Sequence, residues 1–162
     1  MASDIFAKIG DIKGESLDDK HKDEIDISSF SWGVSQTGAT ATGGGAGAGK
    51  AQFSDFTFTT TTSKASPQLF LACASGTHIK DATISVRKAG DGGSRQDYLV
   101  IKMNDVLVSS YQTQGASSGD RPTESINMAF AKVELTYIPQ KVDGGSDVAI
   151  TVGWDLKANK KV

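Results

Sequence analysis

The sequence predicts a mainly β domain, an antiparallel barrel or sandwich with one helix at about 66–75. Three observations carry this. Apolar residues alternate with Ser, Thr and charged residues in run after run, the period of a half-buried strand. Glycine-bearing links at 89–94, 115–119 and 143–146 separate the runs. One stretch alone, from Ser66-Pro67 to Gly76, is bracketed by helix punctuation.

The elements follow in chain order. The opening "MASDIFAKIGDIKGE" lacks a basic start followed by a long apolar run, so no signal peptide is expected. "ESLDDKHKDEID" (15–26) reads as a charged, solvated loop. Next, Phe30, Trp32 and Val34 form the core face of a strand whose polar face is Ser29, Ser31 and Ser35. "FTFTTTT" (56–62) is β-branched and aromatic, hence a strand. In the helix, Ser66 can cap, Pro67 suits the first position and Gly76 the C-terminal stop. Leu69, Phe70 and Cys73 share a face while Leu71 points nearly opposite, so the helix needs apolar cover on two sides.

Ala82, Ile84 and Val86 mark another strand. "YLVIKM" and "VLVSSYQTQ" flank Asn104-Asp105, which reads as a tight hairpin turn. In "ESINMAFAKVELTYI" the apolar parity changes from Ile126, Met128 and Phe130 to Val133, Leu135 and Tyr137, which a β-bulge near Ala131-Lys132 would explain. Val148, Ile150, Val152 and Trp154 form a last apolar face, with both tryptophans expected to pack. The strands' outward faces are rich in Ser and Thr and poor in the lysines that discourage edge pairing, a hint of assembly.

At 162 residues the chain suits a single domain, 1–162, that buries roughly 70% of its unfolded surface without metal or disulfide. A net charge of −2 gives no basic excess for a nucleic-acid partner. Cys73, the one cysteine, excludes an internal disulfide and fits folding in a reducing compartment. No window approaches 18 continuous apolar residues, so no membrane insertion is expected.

Two motifs invite chemistry. Gly44, four residues, then Gly49-Lys50 fits the phosphate-loop pattern. Yet Ala51 stands where a magnesium-binding hydroxyl is needed, and a strand rather than a helix follows, so no helix N-terminus faces a phosphate. "GASSG" (115–119) matches a nucleophile elbow at Ser117, but His21 and His78 both precede it and no helix follows. One cysteine and two distant histidines supply no zinc spacing. The acidic cluster from Asp18 to Asp26 lacks a calcium loop's glycine and spacing. Asp91 and Asp143 precede glycines, as in turns. The residues therefore predict no catalytic group, cofactor or metal.

Read together, "IFAKIGDIKGES" (5–16), "SFSWGVSQ" (29–36), "GGGAGAGK" (43–50), "LFLACASGTHI" (69–79), "ISVRKAG" (84–90), "YLVIKMNDVLVSSYQTQG" (98–115), "FAKVELTYIPQK" (130–141) and "VGWDLKAN" (152–159) resemble the haemolysin-coregulated proteins (Hcp) of the type VI secretion system. The resemblance spans nearly the whole chain. It implies a compact antiparallel β-barrel of two sheets with one flanking helix. It also implies a homohexameric ring that stacks into a tube, is propelled by a contractile sheath behind a spike, and carries small effectors. Such a protein assembles in the cytoplasm and leaves the cell without a signal peptide. Fused members carry a C-terminal toxin. This chain stops at Val162, just after the last motif, which implies a plain, non-enzymatic tube subunit.

Site residues follow from the same resemblance. The family's ring-stacking loop matches about Gly38 to Lys50, with Gly43, Gly44, Gly45, Gly47 and Gly49 letting backbone lie close to a neighbour. Ser29, Ser31 and Ser35 are candidates for lumen and effector contact, Ser31 foremost, and Leu71 for a subunit-interface helix. The alternative is a cargo-binding adaptor, a chaperone for secreted effectors with no main tube role.

Overall fold

The structure, a computed structural model, describes residues 3–36, 49–88 and 96–162. Twelve strands and one helix are described. In chain order these are β1 (Ser3–Ile9), β2 (Ile25–Asp26), β3 (Ser29–Ser31), β4 (Val34–Ser35), β5 (Gln52–Phe53), β6 (Phe56–Thr61) and α1 (Ser66–Ser75), then β7 (His78–Lys88), β8 (Asp97–Gln114), β9 (Thr123–Ala129), β10 (Lys132–Tyr137), β11 (Ile150–Asp155) and β12 (Lys160–Lys161). All pairings are antiparallel, in a ten-stranded sheet and a separate two-stranded one, β4–β5.

The large sheet curls on itself. β1 pairs with β2 and β7, β7 with β8, β8 with β9, β9 with β6 and β6 with β3. Between β2 and β3 the chain passes from one partner to the other: Ile27 donates to the Ile5 carbonyl and Ser28 to that of Thr59. The backbone ladder thus returns to its start, enclosing Phe56, Phe58, Ile84, Ile101, Met103, Ile126 and Met128, all fully buried. Each such side chain contributes about 1.5–3 kcal/mol of burial. The β10–β11–β12 flap extends from the first half of β8.

β8 runs unbroken for 18 residues where a turn at Asn104-Asp105 was expected. Asp105 does adopt a left-handed conformation, φ 53°, but as a kink and not a reversal. The first half of β8 pairs with β10 and the second with β9, so reversing there would forfeit both ladders. The parity change near Ala131 is real, yet it is not a bulge. Asn104↔Lys132 and Leu107↔Ala129 leave two residues on each strand between them. Both strands switch faces together, Ile101 and Met103 giving way to Val106 and Val108 as buried positions. A register shift of the bulge kind lies nearby, between Val108 and Ser110.

α1 has the expected bounds, closed by Gly76 at φ 64°. Its cap differs. Ala65 holds the N-cap position, and Ser66 lies inside the helix, where its hydroxyl donates to Glu124 Oε1 at 2.8 Å. A serine at the cap would lose this buried carboxylate, which also accepts from the Tyr111 hydroxyl. Leu69 is buried and Cys73 half-buried, whereas Phe70 faces out, edge-on to Tyr111.

The expected strand at 29–35 is two. β3 pairs with β6, then the chain leaves at Trp32-Gly33 for β4, where Val34 is 58% exposed and not in the core. Val148, Ile150 and Val152 are exposed too, while Trp154 and Trp32 pack against the core as half-buried residues. β12, at the end of the flap, is Lys160-Lys161, a lysine pair of the kind that discourages pairing at an open edge.

Candidate functional site

The charged loop before β2 is a clasp rather than a solvated excursion. Arg87, on β7, is 2% exposed and gives Asp18 a two-pronged ion pair, with Nη1 to Oδ1 at 3.0 Å. The Arg87 hydrogen bonds hold the Asp18 carboxyl well below its usual range, at about 2. His21, 6% exposed, sets one ring nitrogen 2.9 Å from Glu24 Oε2 and the other 3.0 Å from Asp97 Oδ1. Both side chains meet Phe6: the His21 ring stacks on it at 4.3 Å, and the Arg87 guanidinium carbon lies 4.9 Å from its centroid. Gly14 sits where a Cβ would come 2.3 Å from the Glu24 carbonyl, so the loop doubles back at backbone contact. The clasp delivers residues 25–31 to the gap between β1 and β6.

That placement builds a polar face. Cross-strand register aligns Ser29, Thr59, Ser125 and Gln112 in one row, and Ser31, Thr57, Asn127 and Ser110 in the next. Ser29 Oγ and Thr59 Oγ1 are 2.6 Å apart, and Thr57 donates to Asn127 at 3.0 Å. The opposite parity of these strands, including Phe56, Phe58, Ile126 and Met128, is the core. A hollow of about 390 Å³ lies at one end, lined by Thr59, Gln112, Thr123 and Ser125 among others. Eight hydroxyl and amide side chains without one charge can hydrogen-bond a polar surface, but they hold no acid, base or activated nucleophile.

The face contains Ser29 and Ser31 but not Ser35, which lies on β4 opposite Gln52 in the small sheet. Thr57, Thr59, Ser125, Asn127, Ser110 and Gln112 were missed by sequence reasoning. The alternation in "FTFTTTT" marks Thr57 and Thr59 as a face, but only register shows which strands lie beside it.

Of the glycine loop, Gly38, Gly43, Gly44, Gly45 and Gly47 lie outside the described residues, as does the link at 89–94. Gly49 and Lys50 precede β5, and Lys50 borders a shallow groove with His78, Asp105 and Lys157. Asp105 accepts from Lys157 Nζ at 2.7 Å and lies 2.7 Å from His78 Nδ1; Lys157 first and His78 second lower its pKa. Ser117 is exposed in a turn closed by Gly119 N–H to the Ala116 carbonyl. Leu71 is 57% exposed on α1. Among the described residues no three His, Cys, Asp or Glu gather as metal ligands, and no helix is long and apolar enough to cross a membrane.

Residues 6–137 match the family model described as "Type VI secretion system effector, Hcp". Protein hcp1 of Pseudomonas aeruginosa is 46% identical over 160 residues, covering 98% of each chain. A solved type six secretion system protein superposes with a TM-score of 0.92 at 34% identity, over 99% of this chain and 100% of the other. Hcp1 from Salmonella typhimurium does so at 0.82 and 37%, over the whole of both chains.

Proposed function

The chain belongs to the Hcp family of the type VI secretion system, and from that premise we propose that it is a structural, non-catalytic subunit of the system's inner tube. Copies close into hexameric rings, rings stack head-to-tail, and the contractile sheath ejects the tube with small effectors in its lumen. The protein assembles in the cytoplasm and ends outside the cell.

The observation that supports this best is the polar face and its two open edges. Among the described residues, β3 pairs only with β6, and β8 beyond Leu107 pairs only with β9. Neither edge carries a charge: β3 reads Ser-Phe-Ser and the end of β8 Ser-Tyr-Gln-Thr-Gln. Such edges invite continuation by another copy, and continuing round a six-fold axis turns the uncharged face into a lumen wall. Ser29 and Ser31 then contact cargo, Leu71 meets a neighbouring subunit, and the stretch Gly38–Lys50 meets the next ring.

Light scattering coupled to size exclusion tests the ring directly. Six copies of 17.0 kDa give about 102 kDa, and negative-stain images of that peak should show particles with an open centre. A 17.0 kDa species that persists on concentration would overturn the ring and leave a cargo-binding adaptor.

A further inference from the structure

Residues 25–31 change faces as they cross from β1 to β6. Ile25 and Ile27 are buried and Asp26 is exposed, but Ser28 and Ser29 are both exposed. Phe30 then turns in, half-buried and stacked on Phe56 at 5.5 Å. The inward parity thus passes from odd to even positions at Ser28-Ser29. Had the alternation run on unbroken, Ser29 and Ser31 would face the core and Phe30 the polar rows. The outward aim of both serines depends on where this corner falls, an offset of one residue.

Little within the segment fixes that offset. β2 has two residues and β3 three, and among the described residues β3 pairs only with β6. Strands this short do not hold a register by themselves. Past the entry to β2 the polar ties are Thr60 Oγ1 to the Asp26 carbonyl at 2.6 Å, Ile27 N–H to Ile5 at 3.0 Å and Ser28 N–H to Thr59 at 2.8 Å.

The entry itself is held by His21. Its Nδ1 lies 2.9 Å from Glu24 Oε2, one residue ahead of β2. Its Nε2 lies 3.0 Å from Asp97, the first residue of β8 and 76 positions away. The ring face stacks on Phe6, the β1 residue directly opposite Asp26. A flat ring with nitrogens on two edges ties a loop to a distant strand while its face packs on a third element. Asp23 turns the chain back at φ 63°, and the Glu24 N–H bonds the His21 carbonyl at 3.2 Å.

We propose that His21 is a positioning residue for the cargo-contact strand: acting through Glu24, it sets where the chain enters β2 and so turns Ser29 and Ser31 outward into the two polar rows. This rests on the reading of that face as the wall of the tube's lumen.

Hydrogen exchange on the full chain tests it. His21→Phe keeps a ring against Phe6 but has no group to hold Glu24 or Asp97, and Glu24→Ala cuts only the link to β2. Each is expected to quicken exchange over residues 25–31 by at least about tenfold, as loss of one hydrogen bond to a charged group does, with β7 unchanged. The double variant should quicken it no further than His21→Phe alone, because both act on one link. A pin that bypasses the clasp gives a readout that general destabilisation would not move. Ser29 and Thr59 stand directly opposite, their side-chain oxygens 2.6 Å apart, a placement that suits a disulfide. In a Cys73→Ser background, oxidised Ser29→Cys with Thr59→Cys should bring exchange over residues 29–31 in His21→Phe back to that of the pinned parent. Unchanged exchange over residues 25–31 in either single variant would overturn the positioning role. Equal quickening in β7, or a pin that restores nothing, would do the same. Light scattering on the same samples keeps the two readings apart. A one-copy wild type overturns the ring and leaves the positioning role standing, since every contact in it lies within one chain.

Discussion

Asp18 holds the clasp on which residues 25–31 depend. Its partner Arg87 is buried, and its remaining acidic neighbour on β1, Asp4, lies 3.6 Å from Nε. Replacing Asp18 by Asn leaves a guanidinium without its two-pronged partner at a site water scarcely reaches. Breaking a buried pair from one side costs roughly 3 kcal/mol, which lowers the melting temperature of a domain this size by about 6–12 °C. The acid behaviour follows from the direction of the shift. The folded pKa, about 2, lies below the ordinary 3.8. The pair's contribution is therefore present above the ordinary value and is lost as pH falls toward about 2. Melting curves of wild type and Asp18→Asn should be well separated at neutral pH and converge through that window. Superimposable curves at pH 7 would show that the clasp contributes nothing.

The elements show what the chain announces and what it withholds. α1 was legible to the residue because its signals are local: Pro67 near the start and a left-handed Gly76 at the end need no partner to act. The face carrying Ser29 and Ser31 was legible as parity, since alternation is a property of one strand. Its composition as two rows across four strands was not, because register between β6, β9 and β8 is set by distant contacts. Asn104-Asp105 misled for the same reason. The dipeptide tolerates a turn, but two ladders on β8 outweigh that local preference. Ser66 reads as a cap because nothing in its neighbourhood reveals Glu124, 58 positions on.

Glu124 is 2% exposed and accepts from Ser66 and Tyr111; burial first, and this contact second, raise the Tyr111 pKa. Glu124→Ala leaves two hydroxyls beneath α1 without their acceptor, at a cost of about 1–3 kcal/mol. Hydrogen exchange should then quicken in α1 before it quickens in β7, whose ladder with β8 does not pass through Glu124. Uniform quickening of both would mean that α1 is not seated separately.

In the proposed tube, closure of the ring and stacking of rings fall to different surfaces, so the two can be pulled apart. β4 and β5 are already paired, Val34↔Phe53 and Ser35↔Gln52. A two-residue Asn-Gly turn is the connection such a ladder prefers, and replacing residues 37–50 with it should leave the hairpin in place. The polar face, its two open edges and α1 lie outside the deleted segment. The shortened chain is therefore expected to keep a six-copy mass and to protect cargo as wild type does. It should form no stacked tubes at concentrations where the intact chain does. Tubes that persist would move stacking to another surface. A monomeric product would make the loop part of ring closure. Rings that neither stack nor protect cargo would join the two roles in one segment, which is what the adaptor reading requires and the tube reading does not.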